Sequence, residues 1–354
     1  MNRVDERDTM FARANYKKGS NAYEDYYSRN PGKKAIDDNI KTQPNLCSEG
    51  TMTYSQVNSP IASSAFDFLG DIKHLSEGTV NPIITEVKSD LITKRIKGLA
   101  RKYGAKLVGI IELKSYHFYT HRGRHEENYG EEVNLNHKYG IVFAVEMDKD
   151  MINRAPMIAE VIETSKCYVD AAIIGMILSY YIRSLGYEAR NHMDANYLLM
   201  PVLVARDAGL GEIGRNNILT TKEYGSRVRL GVVTTNLELD VDKPMSFGLE
   251  DFCRICKKCA LTCPSKAISK EHEKETNGKL NWTINQESCY TKWRHIGTDC
   301  GMCISSCPFS QNMESIERVE TFHGNDTLIE TILEEYRKTY TIRPFIPGNP
   351  DWLL

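Results

Sequence analysis

The chain has 354 residues, and its 45 basic side chains against 47 acidic ones leave a formal charge of −2 and no bulk electrostatic reason to bind nucleic acid. Its longest nearly apolar stretch, 171–182, is about twelve residues, well short of the roughly 20 that a bilayer-spanning helix needs. Ten cysteines could suit a disulfide scaffold, but eight of them fall in metal-cluster spacings, which need reduced thiols and so imply assembly in the cytosol.

Positions 1–80 are polar and tyrosine-rich, with turn clusters at Asn30-Pro31-Gly32 and Ser48-Glu49-Gly50, and are expected to form an extended arm with short helices that wraps a larger body. Over 85–103, Val87, Leu91, Ile92, Ile96 and Leu99 recur at helical spacing; Gly104 ends the pattern, and 107–111 reads as a buried strand. His117, His121 and His125 fall at i, i+4 and i+8, a metal-binding face only if the segment is helical. Tyr116, Phe118, Tyr119 and Gly123 argue against that helix, so lining of the surface or of a substrate cavity is the plainer reading. A second apolar run, 141–145, is β-branched, and 167–185 predicts a long amphipathic helix ending at Gly186. Helices alternating with short apolar runs indicate an α/β sandwich over 81–246, continued by 201–205 and 227–233. Between these, Gly209, Gly211 and Gly214 match the dinucleotide fingerprint G-x-G-x-x-G literally. The run follows Arg206-Asp207-Ala208 rather than a strand, and about 20 residues on stand Val232 and Val233 where an acid is required. A tight loop that brings backbone close to a bulky cofactor fits better.

The segment 247–312 carries the cysteines. Cys253, Cys256, Cys259 and Cys263, closed by Pro264, have the C-x2-C-x2-C-x3-C-P spacing of bacterial 4Fe-4S ferredoxins. Cys300, Cys303 and Cys307, closed by Pro308, lack one ligand of that spacing, and Cys289 upstream is the replacement. Zinc sites normally use two cysteine pairs separated by a longer gap, which four cysteines in so short a run leave no room for. The last cysteine of each run ligates the other cluster in two-cluster ferredoxins. That rule groups Cys253, Cys256, Cys259 and Cys307 around one cluster, and Cys263, Cys289, Cys300 and Cys303 around the other. A polar insertion spans 271–280, and the tail, 313–354, has one helical stretch at 327–338.

Four strings together resemble the cobalamin-dependent reductive dehalogenases: Val4-Asp5-Glu6-Arg7-Asp8-Thr9-Met10-Phe11-Ala12-Arg13, Ile182-Arg183-Ser184-Leu185-Gly186-Tyr187, Ala208-Gly209-Leu210-Gly211-Glu212-Ile213-Gly214-Arg215 and Tyr224-Gly225-Ser226-Arg227-Val228-Arg229-Leu230. The spacing from Cys289 to Cys300 is also similar to members of that family, while the central domain and first cysteine run are shared with the related epoxyqueuosine reductases. The resemblance implies an α/β (α+β) chain in which a nitroreductase-like cobalamin-binding domain is joined to a bacterial two-cluster 4Fe-4S ferredoxin-like domain. Its implied activity is reductive dehalogenation of a small organohalide, as in organohalide respiration, on cob(I)alamin reduced through the two clusters by a low-potential electron donor.

For the site, the resemblance implies that Tyr168 donates a proton, with Arg229 or Arg227 as the basic partner that favours its charged form. Strand alternation points both arginines to one face; Arg229 is favoured, and Arg227 stays open. Cobalamin with its lower base detached is expected near Gly209, Leu210, Gly211, Arg215 and Asn196, where Asp194 or Asn196 takes the third polar position of the pocket. The corrinoid signature D-x-H-x-x-G is absent, which agrees with binding that uses no histidine ligand and equally with no cobalamin at all. The first residues have neither a twin-arginine pair nor an apolar segment, so the chain as written is expected in the cytoplasm. Had a twin-arginine leader been removed, it would be exported and held at the membrane by an anchor protein. Nucleic acid is not an expected partner unless the chain acts as an epoxyqueuosine reductase on tRNA. A non-catalytic iron-sulfur electron carrier is the third reading, and the oligomeric state is open.

Overall fold

Two long apolar strands, β2 (Tyr139–Glu146) and β6 (Val228–Thr235), run side by side through the centre and are buried almost end to end. This computed structural model describes residues 2–271, 274–276 and 279–354. The first part of the chain is more helical than an extended arm: α1 (Met10–Arg13), α2 (Asn21–Arg29), α3 (Pro31–Lys41) and α4 (Ser59–Ile72) follow in turn. Its tyrosines explain the difference. Tyr16, Tyr23, Tyr26 and Tyr27 bury their rings against one another, with Tyr23 and Tyr27 only 4.6 Å apart at an edge-on angle, so the segment has its own small core.

Next come α5 (Ser89–Lys102), β1 (Leu107–Glu112), β2, α6 (Lys149–Ile152), α7 (Ile158–Ser184), β3 (Ala189–His192), α8 (Pro201–Asp207), the short hairpin β4 (Glu212–Ile213) and β5 (Leu219–Thr220), and β6. The main sheet has the order β1-β2-β6-β3, and every neighbouring pair is antiparallel. The domain is therefore α+β, because apolar runs spaced by helices do not encode the direction in which strands pair. Ile141, Phe143 and Val145 face α5 and α7, while Val142 and Ala144 face α8, so both sides of the sheet are covered. Helix α7 starts nine residues before the expected Cys167 and is not amphipathic. Its early polar residues, Glu160, Glu163, Thr164 and Ser165, are buried, and α4 covers the side turned away from the sheet. Among the described residues no helix is long and apolar enough to cross a membrane.

The cysteine-bearing segment folds as α9 (Leu249–Cys256), α10 (Lys258–Thr262), the strands β7 (Lys274–Thr276) and β8 (Lys279–Asn281), α11 (Gln286–Ile296) and α12 (Met302–Ser305). The expected insertion at 271–280 lies partly outside the described residues; what is described there is the β7–β8 antiparallel pairing. Then α13 (Glu314–Glu317) and α14 (Asp326–Tyr340) follow, and α14 packs Ile329, Ile332 and Tyr336 against Phe252, Phe309 and Phe322. The N-terminal segment ties the two halves together. Arg13 bonds Asp37 at 2.6 Å and Glu287 of α11 at 2.9 Å, and Cys47 and Thr53 donate backbone hydrogen bonds to Gly297 and Ile296.

Candidate active site

The eight cysteines collect into two groups of four. Cys253 and Cys256 on α9, Cys259 on α10 and Cys307 before the next turn line one space with Gly214, Thr220 and Phe309. Cys253, Cys256, Cys303 and Cys307 act electrostatically on Cys259, and Cys263, Cys289 and Cys300 act on Cys303. Burial, with the neighbouring thiols added, pushes Cys256 and Cys300 up to about 12 and Cys289 up to about 11, and burial alone brings Cys307 to about 11 against donors from Phe309, Ser310 and Ser226. Such thiols become anions when a metal centre displaces their protons. Cys263 differs: burial opposes its ionisation, but donors from Ser265, Ile268 and Ala267 outweigh it and hold the thiol below its ordinary value. Two sets of four thiols are the donor chemistry of two 4Fe-4S clusters.

The glycine-rich run serves the first set of cysteines. A Cβ on Gly209 would stand 2.3 Å from the Lys243 carbonyl oxygen, and one on Gly211 would stand 2.3 Å from that of Thr220, so both glycines admit this chain's own backbone. Leu210 is buried in the core beneath the sheet. Arg215, almost fully buried, donates to the Cys253 carbonyl at 2.9 and 3.0 Å and to the Ser269 and Glu271 carbonyls at 3.0 Å. Gly209, Leu210, Gly211 and Arg215, expected near the corrin, are placed where they also shape and brace the cysteine region. Asn196 is likewise engaged elsewhere, donating to Lys73 and Ser76 and accepting from Arg190.

The two arginines part company. Arg227 directly precedes β6 and is fully buried in a clamp, donating to the carbonyls of Ser310 at 2.7 Å and Met147 at 2.5 Å, to Asn312 at 2.6 Å and to Glu146 at 3.1 Å. Arg229, opposite Val145 in the sheet, reaches α7, and its guanidinium lies 5.0 Å from the centre of the Tyr168 ring. Contact is with the ring face, because Arg229 Nη2 is held by Thr164 Oγ1 at 2.8 Å and Asp299 Oδ2 at 2.6 Å. The phenol of Tyr168 is raised above its ordinary value: desolvation dominates, and Arg229 offsets only part of it. Tyr168 therefore carries its proton at neutral pH.

Around this pair stand groups with no conspicuous motif. Arg124 lies 3.7 Å from Asp194, and both act on Tyr168; Tyr197 is raised by burial, Tyr168 and Asp194, against Arg124 and Arg229. Glu160, one helical turn before Thr164, is pushed well up by burial and by the Asp299 charge. Arg229 Nε, Arg124 Nε, Glu160 Oε2 and Asp299 Oδ1 are buried without a hydrogen-bond partner among the described residues. The carboxyls of Glu160 and Asp299 face each other, while Arg229 Nε and Arg124 Nε, whose unmet donors cost about 1–3 kcal/mol each, are the ones a polar ligand would satisfy. Arg124 also lines a cavity of about 960 Å³ between the N-terminal helices and residues 123–127. The sequence signals for this surround were weak: Asp299 directly precedes Cys300, and Arg124 sits among the histidines. Those histidines share no helix: His117 ends a single 3-10 turn, and the other two lie beyond it. His117 pairs with Asp207 at 3.0 Å, His121 lies 3.6 Å from Asp5, and His125 contacts the Ala195 carbonyl at 2.6 Å.

Residues 252–311 match the family model of a 4Fe-4S dicluster domain. A tetrachloroethene reductive dehalogenase from Desulfitobacterium hafniense is 33% identical over 202 residues, covering 54% of this chain and 35% of that protein. An epoxyqueuosine reductase from Lactococcus garvieae is 32% identical over 122 residues, 33% of this chain and 34% of that protein. Among solved structures, a reductive dehalogenase described as suggesting a mechanism for B12-dependent dehalogenation superposes with a TM-score of 0.76 at 22% identity, over 99% of this chain and 52% of that one. The chain thus spans about a third of the length of these curated relatives.

Proposed function

We propose that this chain, which resembles the reductive dehalogenases in sequence and shares their fold, is a corrinoid- and iron-sulfur-dependent oxidoreductase that replaces halide on a small organohalide with hydrogen. In that reaction the carbon–halogen bond breaks, a carbon–hydrogen bond forms, two electrons and one proton are consumed, and halide leaves. Asp299 and Cys300, consecutive in the chain, carry the reading: one holds the arginine over Tyr168 and the other belongs to the second cysteine set, so a proton donor and an electron relay meet at one point. When bound, a corrin supplies a strongly reducing cobalt centre for the carbon–halogen bond. The buried, unpartnered atoms of Arg124 and Arg229, with Asp194 and Tyr197 beside them, are the groups that would hold its polar periphery or the substrate.

Tyr168 keeps the proton in a desolvated setting and releases it toward the carbon that loses halide, while Arg229 compensates the charge that develops on the phenol. The two cysteine sets would hold the clusters, which would supply electrons from a low-potential donor, and in an exported form an anchor protein would hold the enzyme at the membrane. Anaerobic reconstitution tests the proposal. About eight iron atoms per chain are expected, as two 4Fe-4S clusters require, with cobalt retained and halide released from a panel of haloethenes and halophenols under a viologen reductant. Full iron loading with no retained cobalamin would leave only an electron carrier. Turnover of epoxyqueuosine tRNA without halide release would shift the assignment to that reaction.

A further inference from the structure

We propose that Asp299 is a positioning residue through which the second cysteine set controls where Arg229 sits over Tyr168. The inference rests on the proton-donor reading of Tyr168 given above. Thr298-Asp299-Cys300-Gly301 forms one short loop between α11 and α12. Thr298 Oγ1 donates to the Pro156 carbonyl at 2.8 Å and accepts from the Cys300 backbone at 3.2 Å. Cys300 and Gly301 have φ of +70° and +58°, so two successive residues take the left-handed conformation. A Cβ on Gly301 would stand 2.5 Å from Glu160 Oε1, so the loop presses directly on α7.

Asp299 projects from this loop, and its Oδ2 receives both Arg229 Nη2 at 2.6 Å and Thr164 Oγ1 at 3.2 Å. Thr164 lies one helical turn before Tyr168 and itself accepts from Arg229. Two side chains, one from a loop and one from a helix, thus close on one guanidinium nitrogen of a strand arginine, and the ring of Tyr168 lies under that guanidinium. The residue following Asp299 is a cluster cysteine. Ligation of Cys300 therefore sets the position of the carboxylate, the carboxylate sets the arginine, and the arginine sets the electrostatics of the proton donor.

A plain charge-balancing role for Asp299 predicts the opposite behaviour. Among the groups acting on Tyr168, Arg229 and Arg124 favour its anion and Asp194 and Asp299 disfavour it; Glu160 faces both Asp299 and Arg229 and is pushed well up by burial and by Asp299, so the variants are read in a Glu160→Gln background where no second carboxyl can take the place of Asp299. If Asp299 were only a nearby negative charge, its removal would lower the pH at which Tyr168 ionises. If it positions Arg229, removal frees the arginine and the pH rises, by about one unit or more for loss of an opposite charge at this range.

The test uses the full chain with both clusters loaded and oxidised, and 3,5-difluorotyrosine placed at position 168 so that the phenol titrates where the protein stays folded. Fluorine NMR then reads that single ring. In Asp299→Ala the titration should move up by about one unit, whereas Asp299→Asn, which keeps an acceptor oxygen for Arg229, should titrate no higher than the parent. Should Asp299→Ala lose iron, Thr164→Val, which removes the other oxygen holding Arg229 Nη2 without touching a cysteine, supplies the second reading, because release of the arginine must also raise the titration. A downward shift or no shift in these variants overturns the proposal. Since neither corrin nor turnover enters the measurement, failure to release halide would sink the dehalogenase reading while leaving this result standing.

Discussion

Arg227→Met separates a structural arginine from a catalytic one. The guanidinium is wholly buried, and its four partners are the carbonyls of Ser310 and Met147, the Asn312 side chain and Glu146. Methionine fills similar space without a donor. Glu146, a quarter exposed and still within 3.5 Å of Lys106, loses little. The two carbonyls and Asn312 Oδ1 lose charged donors worth about 1.5–3 kcal/mol each in isolation, and relaxation brings the total toward the 3–5 kcal/mol typical of breaking a buried pair. We expect a loss of about 4 kcal/mol, or about 5 °C in Tm, read anaerobically by circular dichroism together with bleaching of the cluster absorbance. Below its melting transition the variant should turn over organohalide within about twofold of the parent, since an interaction absent from the transition state costs no rate. If stability falls by less than about 1 kcal/mol while turnover falls more than about a hundredfold, Arg227 is the partner of the proton donor and the assignment of Arg229 is wrong.

Tyr168→Phe should keep its iron and cobalt and lose about 10²–10⁴-fold in halide release, the range for a general acid; full turnover with cobalamin bound would remove the tyrosine from the mechanism. Cys289→Ser should bring iron from about eight to about four atoms per chain, and iron left at about eight would show that this cysteine is not a ligand. Arg215→Gln should selectively weaken the first cluster, seen as faster loss of about half the iron to a chelator, because the carbonyl of Cys253 loses two donors. Glu287 is pulled down to about 2: burial opposes the shift, but Lys33 and Arg13 outweigh it. A depressed carboxyl stabilises above its unfolded value and loses that contribution as pH falls toward the folded one. The N-terminal helices should therefore become sensitive to pepsin as pH drops from about 4 toward 2, with Glu287→Gln already sensitive at the upper end.

The cysteine sets were legible before any coordinates because ligand spacing is a local property: a cluster edge is only a few residues long, so C-x2-C-x2-C-x3-C-P states its chemistry outright. Strands β1 and β2 and the end of α7 at Gly186 were legible for the same reason, since periodicity and a glycine stop act over short range. Strand direction, the extra turns of α7 and the compact tyrosine core of the N-terminal helices were not, because each depends on partners distant in the chain. Glu160, Glu163, Thr164 and Ser165 break the apolar pattern ahead of the expected helix, yet folding buries all four and sets Glu160 and Thr164 beside Arg229 and Asp299. Alternation alone left Arg227 and Arg229 equivalent. What separates them is that Arg227 meets residues 310–312 while Arg229 meets Thr164, Tyr168 and Asp299. By itself the sequence determined which atoms can bind iron; the tertiary structure alone decided which arginine reaches the tyrosine, because that contact joins a strand, a helix and a loop whose meeting no local pattern records.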